Sequence, residues 1–191
     1  MSYPSILLAS SSIRRRELLA QLGVSFELIP ADIDETPQHN ERPADYVQRL
    51  APAKARAGLA RSDGSKPVLG ADTIVVVDGQ ILGKPADFKA FSHTMQQLSG
   101  RCHQVMTAIA LVDQQRCLQQ LVSTEVCFRP LSADDIARYW QTGEPLDKAG
   151  GYGIQGLAAK FVQRINGSYT AVVGLPLCET EQLLLQWQKH R

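Results

Sequence analysis

The chain has 191 residues, 44% of them hydrophobic and 20% charged, with a formal net charge of +1. That length supports one domain with a real core and is short for two, and the charge balance gives no bulk attraction to nucleic acid or to a membrane surface. No window approaches the roughly 20 apolar residues of a membrane-spanning helix, and no basic segment followed by an apolar run marks a signal peptide.

In chain order, Ile6-Leu7-Leu8-Ala9 reads as a strand, Ser10-Ser11-Ser12 as a loop, and Ile13 onward as a helix that stops at Gly23. A serine is the N-cap. Arg14, Arg15 and Arg16 then fall in the first helical turn, where the helix dipole disfavours cations. Free N–H groups, hydroxyls and guanidinium groups together suit an anion such as phosphate; the alternative is a surface helix that begins with arginines. Residues 24–30 read as a weak strand. Ala31-Asp32-Ile33-Asp34-Glu35-Thr36 places three carboxylates in a loop, either a solvated one or a site for a hard cation.

Residues 43–61 have helical spacing, with Val47, Leu50, Ala51, Lys54 and Ala57 on one face. Pro52 should kink or restart this helix. Lys54, on the apolar face, either snorkels outward or points into a cleft. Residues 68–77 form the strongest strand, apolar on both faces and so central. Asp72 inside it is costly to bury unless paired, hydrogen-bonded, metal-bound or facing a cleft; the reading favours a functional carboxylate over a structural one. Asp78-Gly79 is a two-residue hairpin turn. Its register pairs Val77 with Gln80 and so brings Lys84 opposite Thr73, beside Asp72, with the direction of the lysine left open.

Asp87 caps a helix carrying Phe88, Phe91, Met95 and Leu98. Residues 103–113 and 117–128 read as strands joined by a short turn, and Ser132 to Asp135 as a capping box. Lys148 to Gly156 is a second glycine-rich loop, with four glycines in seven residues, able to approach a ligand closely. Residues 161–165 and 169–173 read as a hairpin around Asn166-Gly167, and a closing helix follows Pro176. Helices alternating with strands, three hairpins among them, predict an α/β single domain with a mixed, twisted central sheet flanked by helices. Cys102, Cys117, Cys127 and Cys178 form no CxxC pair, and reduced thiols in a cytoplasmic protein fit best. The four histidines fit no zinc or nucleophile motif.

The unusual polar residues are Ser10, Arg14, Arg15, Glu35, Lys54, Asp72, Lys84 and Gln155. Several stand at strand ends or in adjoining loops, where open α/β sheets bind ligands in a cleft. Cations with a serine loop can hold a polyphosphate, and two carboxylates can hold Mg²⁺ or Mn²⁺ or orient a water for attack on phosphorus.

Ser10-Ser11-Ser12-Ile13-Arg14-Arg15, Gly70-Ala71-Asp72-Thr73, Gly83-Lys84-Pro85 and Tyr152-Gly153-Ile154-Gln155-Gly156, in that order over essentially the whole chain, resemble the Maf family of nucleoside triphosphate pyrophosphatases. Arg101 to Thr107 and Asp147 to Gly156 resemble its dTTP/UTP-cleaving branch more than the branch acting on 7-methyl-GTP. The resemblance implies a Maf/inosine-triphosphatase-like fold over residues 1–191. It also implies cleavage between the α and β phosphates of dTTP, UTP and modified pyrimidine nucleotides, with a divalent cation, Mg²⁺ or Mn²⁺, whose ligands stay open. By matching position, Asp72 would activate water, with Glu35, Lys54 and Lys84 beside it in catalysis. Ser10, Arg15, Lys54 and Lys84 match its phosphate-handling positions, and Arg14, Thr73 and Gln155 would act in substrate choice. Ile13 departs from the family's usual proline and leaves the turn less rigid.

The expected partner is the nucleotide substrate alone, without nucleic acid or membrane, in the cytoplasm, with monomer and homodimer both open. The alternative is a nucleotide-binding regulatory protein acting through a protein partner in septum and division control. It is disfavoured because a pure binder needs no water-activating carboxylate.

Overall fold

The computed structural model describes residues 3–189. Buried Ile6, Leu7, Leu8 and Ala9 form β1 (Ile6–Ala9), which lies parallel to both β2 (Phe26–Leu28) and β3 (Val68–Val77), Leu8 facing Leu28 and Leu69. Parallel neighbours need crossover connections, supplied here by α1 (Ile13–Gln21) and α2 (Pro43–Ala60). β3 pairs with β1 through its first residues and antiparallel with β4 (Gln80–Leu82) through its last. β5 (Cys102–Val112) and β6 (Cys117–Phe128) are consecutive neighbours across a short turn, an antiparallel hairpin by necessity. β7 (Val162–Asn166) runs antiparallel to β6. The strand order is β2-β1-β3-β5-β6-β7, with β4 on β3. Helices α3 (Phe88–Leu98), α4 (Ala133–Gln141), α5 (Tyr169–Val173) and α6 (Leu177–Lys189) complete a mixed α/β architecture.

The described residues fall into two compact units. The first draws on residues 3–72, 107–122 and 174–189, the second on Thr73–Met106 and Ser123–Val173. In the first, α2 rides very close on the sheet at Gly70. A Cβ there would stand 2.3 Å from the Ala51 carbonyl oxygen and 2.6 Å from the Ala55 nitrogen. The second has an aromatic core in which Phe128 and Tyr152 meet at a ring-centroid distance of 4.8 Å and Tyr139 and Phe161 at 5.4 Å.

Local signals explain most element boundaries. The Ser12 hydroxyl accepts from the Arg15 amide, Asp87 accepts from the Ala90 amide, and Ser132 with Asp135 forms a complete capping box. Asp78 and Gly79 both take positive φ, +50° and +76°, as the tightest hairpin turn requires.

Three expectations are corrected. α2 is one continuous helix through Pro52, so the restart offered as one of two outcomes there does not occur; one lost N–H bond is outweighed by the burial of Tyr46, Val47, Leu50, Ala51, Ala55 and Gly58 around it. Residues 169–173 are not a strand but α5. The Ser168 hydroxyl accepts from the Ala171 amide, and the Ser168 amide donates to Thr124 Oγ1, so the chain turns into a helix where a hairpin return was expected. Finally, Cys102 and Cys127 are joined as a disulfide, while Cys117 and Cys178 are free and exposed. Their separation of 25 residues hides a pairing that only the β5–β6 register creates.

Candidate active site

In the first unit the sequence-selected residues gather around Lys54. Its place on the buried face of α2 leaves the side chain 12% exposed, and Nζ lies 2.7 Å from Asp72 Oδ1 and 2.8 Å from Glu35 Oε1. Lys54 therefore does not snorkel; it bridges two carboxylates. Asp72 sits in β3 and is 5% exposed. Burial pushes its carboxyl above the usual carboxylate range, the nearby Glu35 charge adds to this, and the Lys54 ammonium and the Arg15 guanidinium pull the other way.

Only one of the three loop acids reaches Lys54. Asp34 Oδ1 accepts from the Thr36 amide at 2.8 Å, shaping the loop, and Asp32 faces Arg61 at 3.4 Å. Tyr46, two turns before Lys54 on α2, donates its hydroxyl to the Glu35 carbonyl at 2.7 Å, and Arg49 donates to the Thr36 carbonyl at 3.2 Å. Tyr46 was not singled out from the sequence, although its spacing of four from Leu50 and eight from Lys54 was a usable signal.

The Ser/Arg stretch is likewise organised. The Ser12 amide donates to Ser10 Oγ at 3.2 Å, and Arg15 Nη1 donates to the same oxygen at 3.5 Å. Arg15 Nε also donates to the Gly174 carbonyl at 2.8 Å, a tie with no sequence signal. Burial disfavours the Arg15 charge, and the Asp72 carboxylate offsets part of that. Arg14 lies half-buried beside it in α1. No acidic residue stands in the first turn of α1, so its N-terminus keeps a positive field.

The second unit holds Thr73, Lys84 and Gln155. Thr73 is the half-buried residue of an otherwise buried β3. The hairpin register is as expected, Val77 with Gln80 and Val75 with Leu82. β4 ends at Leu82, however, so Lys84 is not paired opposite Thr73. The Gly83 carbonyl instead accepts from the Gly150 amide at 3.1 Å, and Pro85 has no N–H to extend the ladder. Lys84 is exposed in the segment thus tied to the glycine-rich loop, and Gln155 is exposed in that loop.

The glycines of this loop serve protein packing. A Cβ on Gly156 would stand 2.4 Å from Glu144 Oε2, and one on Gly150 2.9 Å from the Val75 side chain. Glu144, which the sequence did not single out, accepts from Tyr139 Oη at 2.7 Å and from the Leu157 amide at 2.9 Å. His103 Nε2 lies 2.7 Å from Tyr152 Oη, and burial lowers the imidazole to about 4.

The family model for Maf-like proteins matches residues 5–187. The chain belongs to the Maf-like family. It is 57% identical to the dTTP/UTP pyrophosphatase of Pseudoalteromonas translucida (strain TAC 125), over 94% of this chain and 95% of that protein. Identity is also 57% to the dTTP/UTP pyrophosphatase of Escherichia coli (strain K12), over 98% of this chain and 95% of that protein. Among solved structures, the Ham1 protein of Staphylococcus aureus aligns with a TM-score of 0.46 at 14% identity, covering 65% of this Maf-like chain and 71% of that one. Among the described residues no helix is long and apolar enough to cross a membrane.

Proposed function

We propose that the chain hydrolyses nucleoside triphosphates, dTTP and UTP foremost, between the α and β phosphates, giving a nucleoside monophosphate and pyrophosphate. The observation that carries the reading is a buried aspartate, Asp72, held 2.7 Å from the Lys54 ammonium. The substrate follows from relatives at 57% identity that are dTTP/UTP pyrophosphatases.

In this mechanism Asp72 accepts a proton from water as the water oxygen bonds to the α phosphorus. The bond from the α phosphorus to the bridging oxygen breaks, and its electron pair leaves on pyrophosphate. A carboxyl whose proton affinity is raised by burial is a better base near neutral pH than an exposed one. Lys54 favours its ionised form against the push of burial and fixes its position against Glu35. Ser10, Arg15 and the N-terminal field of α1 favour phosphate oxygens. Lys84 is assigned to phosphate, and Arg14, Thr73 and Gln155 to substrate choice, by residue type and matching position.

A divalent cation, Mg²⁺ or Mn²⁺, fits the donor set. Glu35 and Asp72 converge on one ammonium and offer the hard carboxylate oxygens such ions take together with substrate phosphates. Bound there, it would neutralise charge on the triphosphate and the leaving pyrophosphate. The sulfur-rich group Cys102, Glu125 and Cys127 does not suit a hard cation. A nucleoside triphosphate substrate supports a cytoplasmic working compartment.

The test is a panel of natural and modified nucleoside triphosphates with Mg²⁺ or Mn²⁺, separating pyrophosphate from orthophosphate. Pyrophosphate with monophosphate from dTTP and UTP supports the reading. Orthophosphate with diphosphate, or binding without turnover, overturns it.

A further inference from the structure

The β5–β6 hairpin carries chemistry that nucleotide cleavage does not use. The Phe128 amide donates to the Arg101 carbonyl at 2.9 Å and the Asp113 amide to the Arg116 carbonyl at 3.0 Å. Both bonds set one register, which puts Cys102 directly across from Cys127, where the disulfide forms. The two sulfurs are unequal. Cys102 is exposed, whereas Cys127 is 7% exposed.

Arg164 makes them more unequal. It is the β7 residue paired with Cys127 in the sheet. Its Nη2 donates to Glu125 Oε1 at 2.8 Å and to Cys127 Sγ at 3.4 Å, and stands 3.9 Å from Cys102 Sγ. A guanidinium beside a sulfur favours its thiolate and makes it the better leaving group in disulfide exchange. Cys102, Glu125 and Cys127 also place donor atoms within 4.8 Å of one another. A metal reading is weaker, because the sulfurs are already bonded to each other and Glu125 is held by Arg164.

We propose that Cys102–Cys127 is a thiol–disulfide exchange site for small peptide thiols of the glutathione class, which enter at Cys102 and expel Cys127 as a thiolate stabilised by Arg164. In the first step the incoming thiolate bonds to Cys102 Sγ, the Cys102–Cys127 bond breaks, and its electron pair stays on Cys127 Sγ. In the second step another small thiolate attacks the small-thiol sulfur of that mixed disulfide. A small-molecule disulfide leaves, Cys102 becomes a thiolate, and both protein sulfurs then take protons from solvent according to pH. The net change is reduction of one protein disulfide by two small thiols. Run backwards, oxidised small thiol attaches to Cys102 and Cys127 resolves it.

The test uses the full chain with Cys117→Ser and Cys178→Ser, equilibrated in reduced/oxidised glutathione mixtures, acid-quenched, alkylated and mapped by peptide mass spectrometry. Reversible conversion between disulfide and dithiol is expected, with the mixed disulfide on Cys102. Cys127→Ser should trap that adduct on Cys102, while Cys102→Ser leaves Cys127 largely unmodified. Arg164→Gln should slow reduction of the disulfide about threefold or more. An adduct preferentially on Cys127, two free thiols under oxidising mixtures, or an unchanged rate in Arg164→Gln would each overturn the proposal.

Discussion

Replacing Lys54 by methionine removes one ammonium while keeping most of the buried stem. In the native arrangement that ammonium lies 2.7 Å from Asp72 and 2.8 Å from Glu35, with the Asp72 side chain 8% exposed. An opposite charge this close lowers a carboxyl by about 1–3 pH units, so its loss leaves the upward push of burial unopposed from that side. The acid limb of kcat/KM should therefore move up by about 1–3 units, equivalent to about 1.4–4 kcal/mol of lost carboxylate stabilisation. Activity should return in part at higher pH, where Asp72 ionises without help. Stability gives an independent readout. A native carboxyl whose proton affinity exceeds that of the unfolded chain binds more protons in the folded state, so its contribution falls as pH rises through that window. In Lys54→Met the window reaches higher pH, and the gap in melting temperature from wild type should narrow as pH is lowered from about 7 to about 5. Lys54→Arg, which keeps the charge, should leave the limb near its original place. An acid limb unmoved in Lys54→Met, with a constant stability gap, would refute the reasoning.

Gly70→Ala should cost about 1–3 kcal/mol or more, read by chemical denaturation, because its Cβ meets backbone of α2 at 2.3 Å and 2.6 Å and backbone cannot swing aside. Since α2 also carries Lys54, turnover should fall with it. His103, lowered to about 4 by burial, should stay neutral by NMR well below the ordinary histidine range. As folding depresses this value, its stabilising contribution should be lost as pH falls from about 6.5 through about 4; a ring that titrates near the ordinary value contradicts the buried assignment. A chelator should abolish nucleotide turnover, and Mg²⁺ or Mn²⁺ should restore it; turnover unaffected by chelation would remove the divalent cation from the mechanism.

Much of the fold was legible because its signals are local. The first helix is capped by one of the three serines, as expected, and that serine is Ser12; Asp87 and Ser132 cap the helices they were expected to cap, and Asp78-Gly79 sets the hairpin register. The apolar run through β3 exposed Asp72 as anomalous. What stayed hidden depends on distant chain. Lys54 on an apolar face was open to snorkelling or to a cleft, and its contact with Asp72 depends on α2 packing closely on β3, which no local signal shows. The β-branched run at 169–173 looked like a strand until Thr124 and Ser168 redirected the backbone. Lys84 escaped its register because Gly83 bonds Gly150 rather than continuing β4. In the glycine-rich loop, Gly150 and Gly156 make room for Val75 and Glu144, a packing role that depends on distant residues. The disulfide was invisible because spacing along the chain carries no record of strand register.

The most direct test of the central claim is pyrophosphate release from dTTP by Asp72→Asn beside wild type, with the melting temperature measured on both. Asparagine keeps the shape and a hydrogen bond to Lys54 but cannot take a proton from water. The account predicts an intact fold and a loss of about 10²–10⁴-fold in kcat. Turnover of dTTP by the folded variant at a rate comparable to wild type would contradict it.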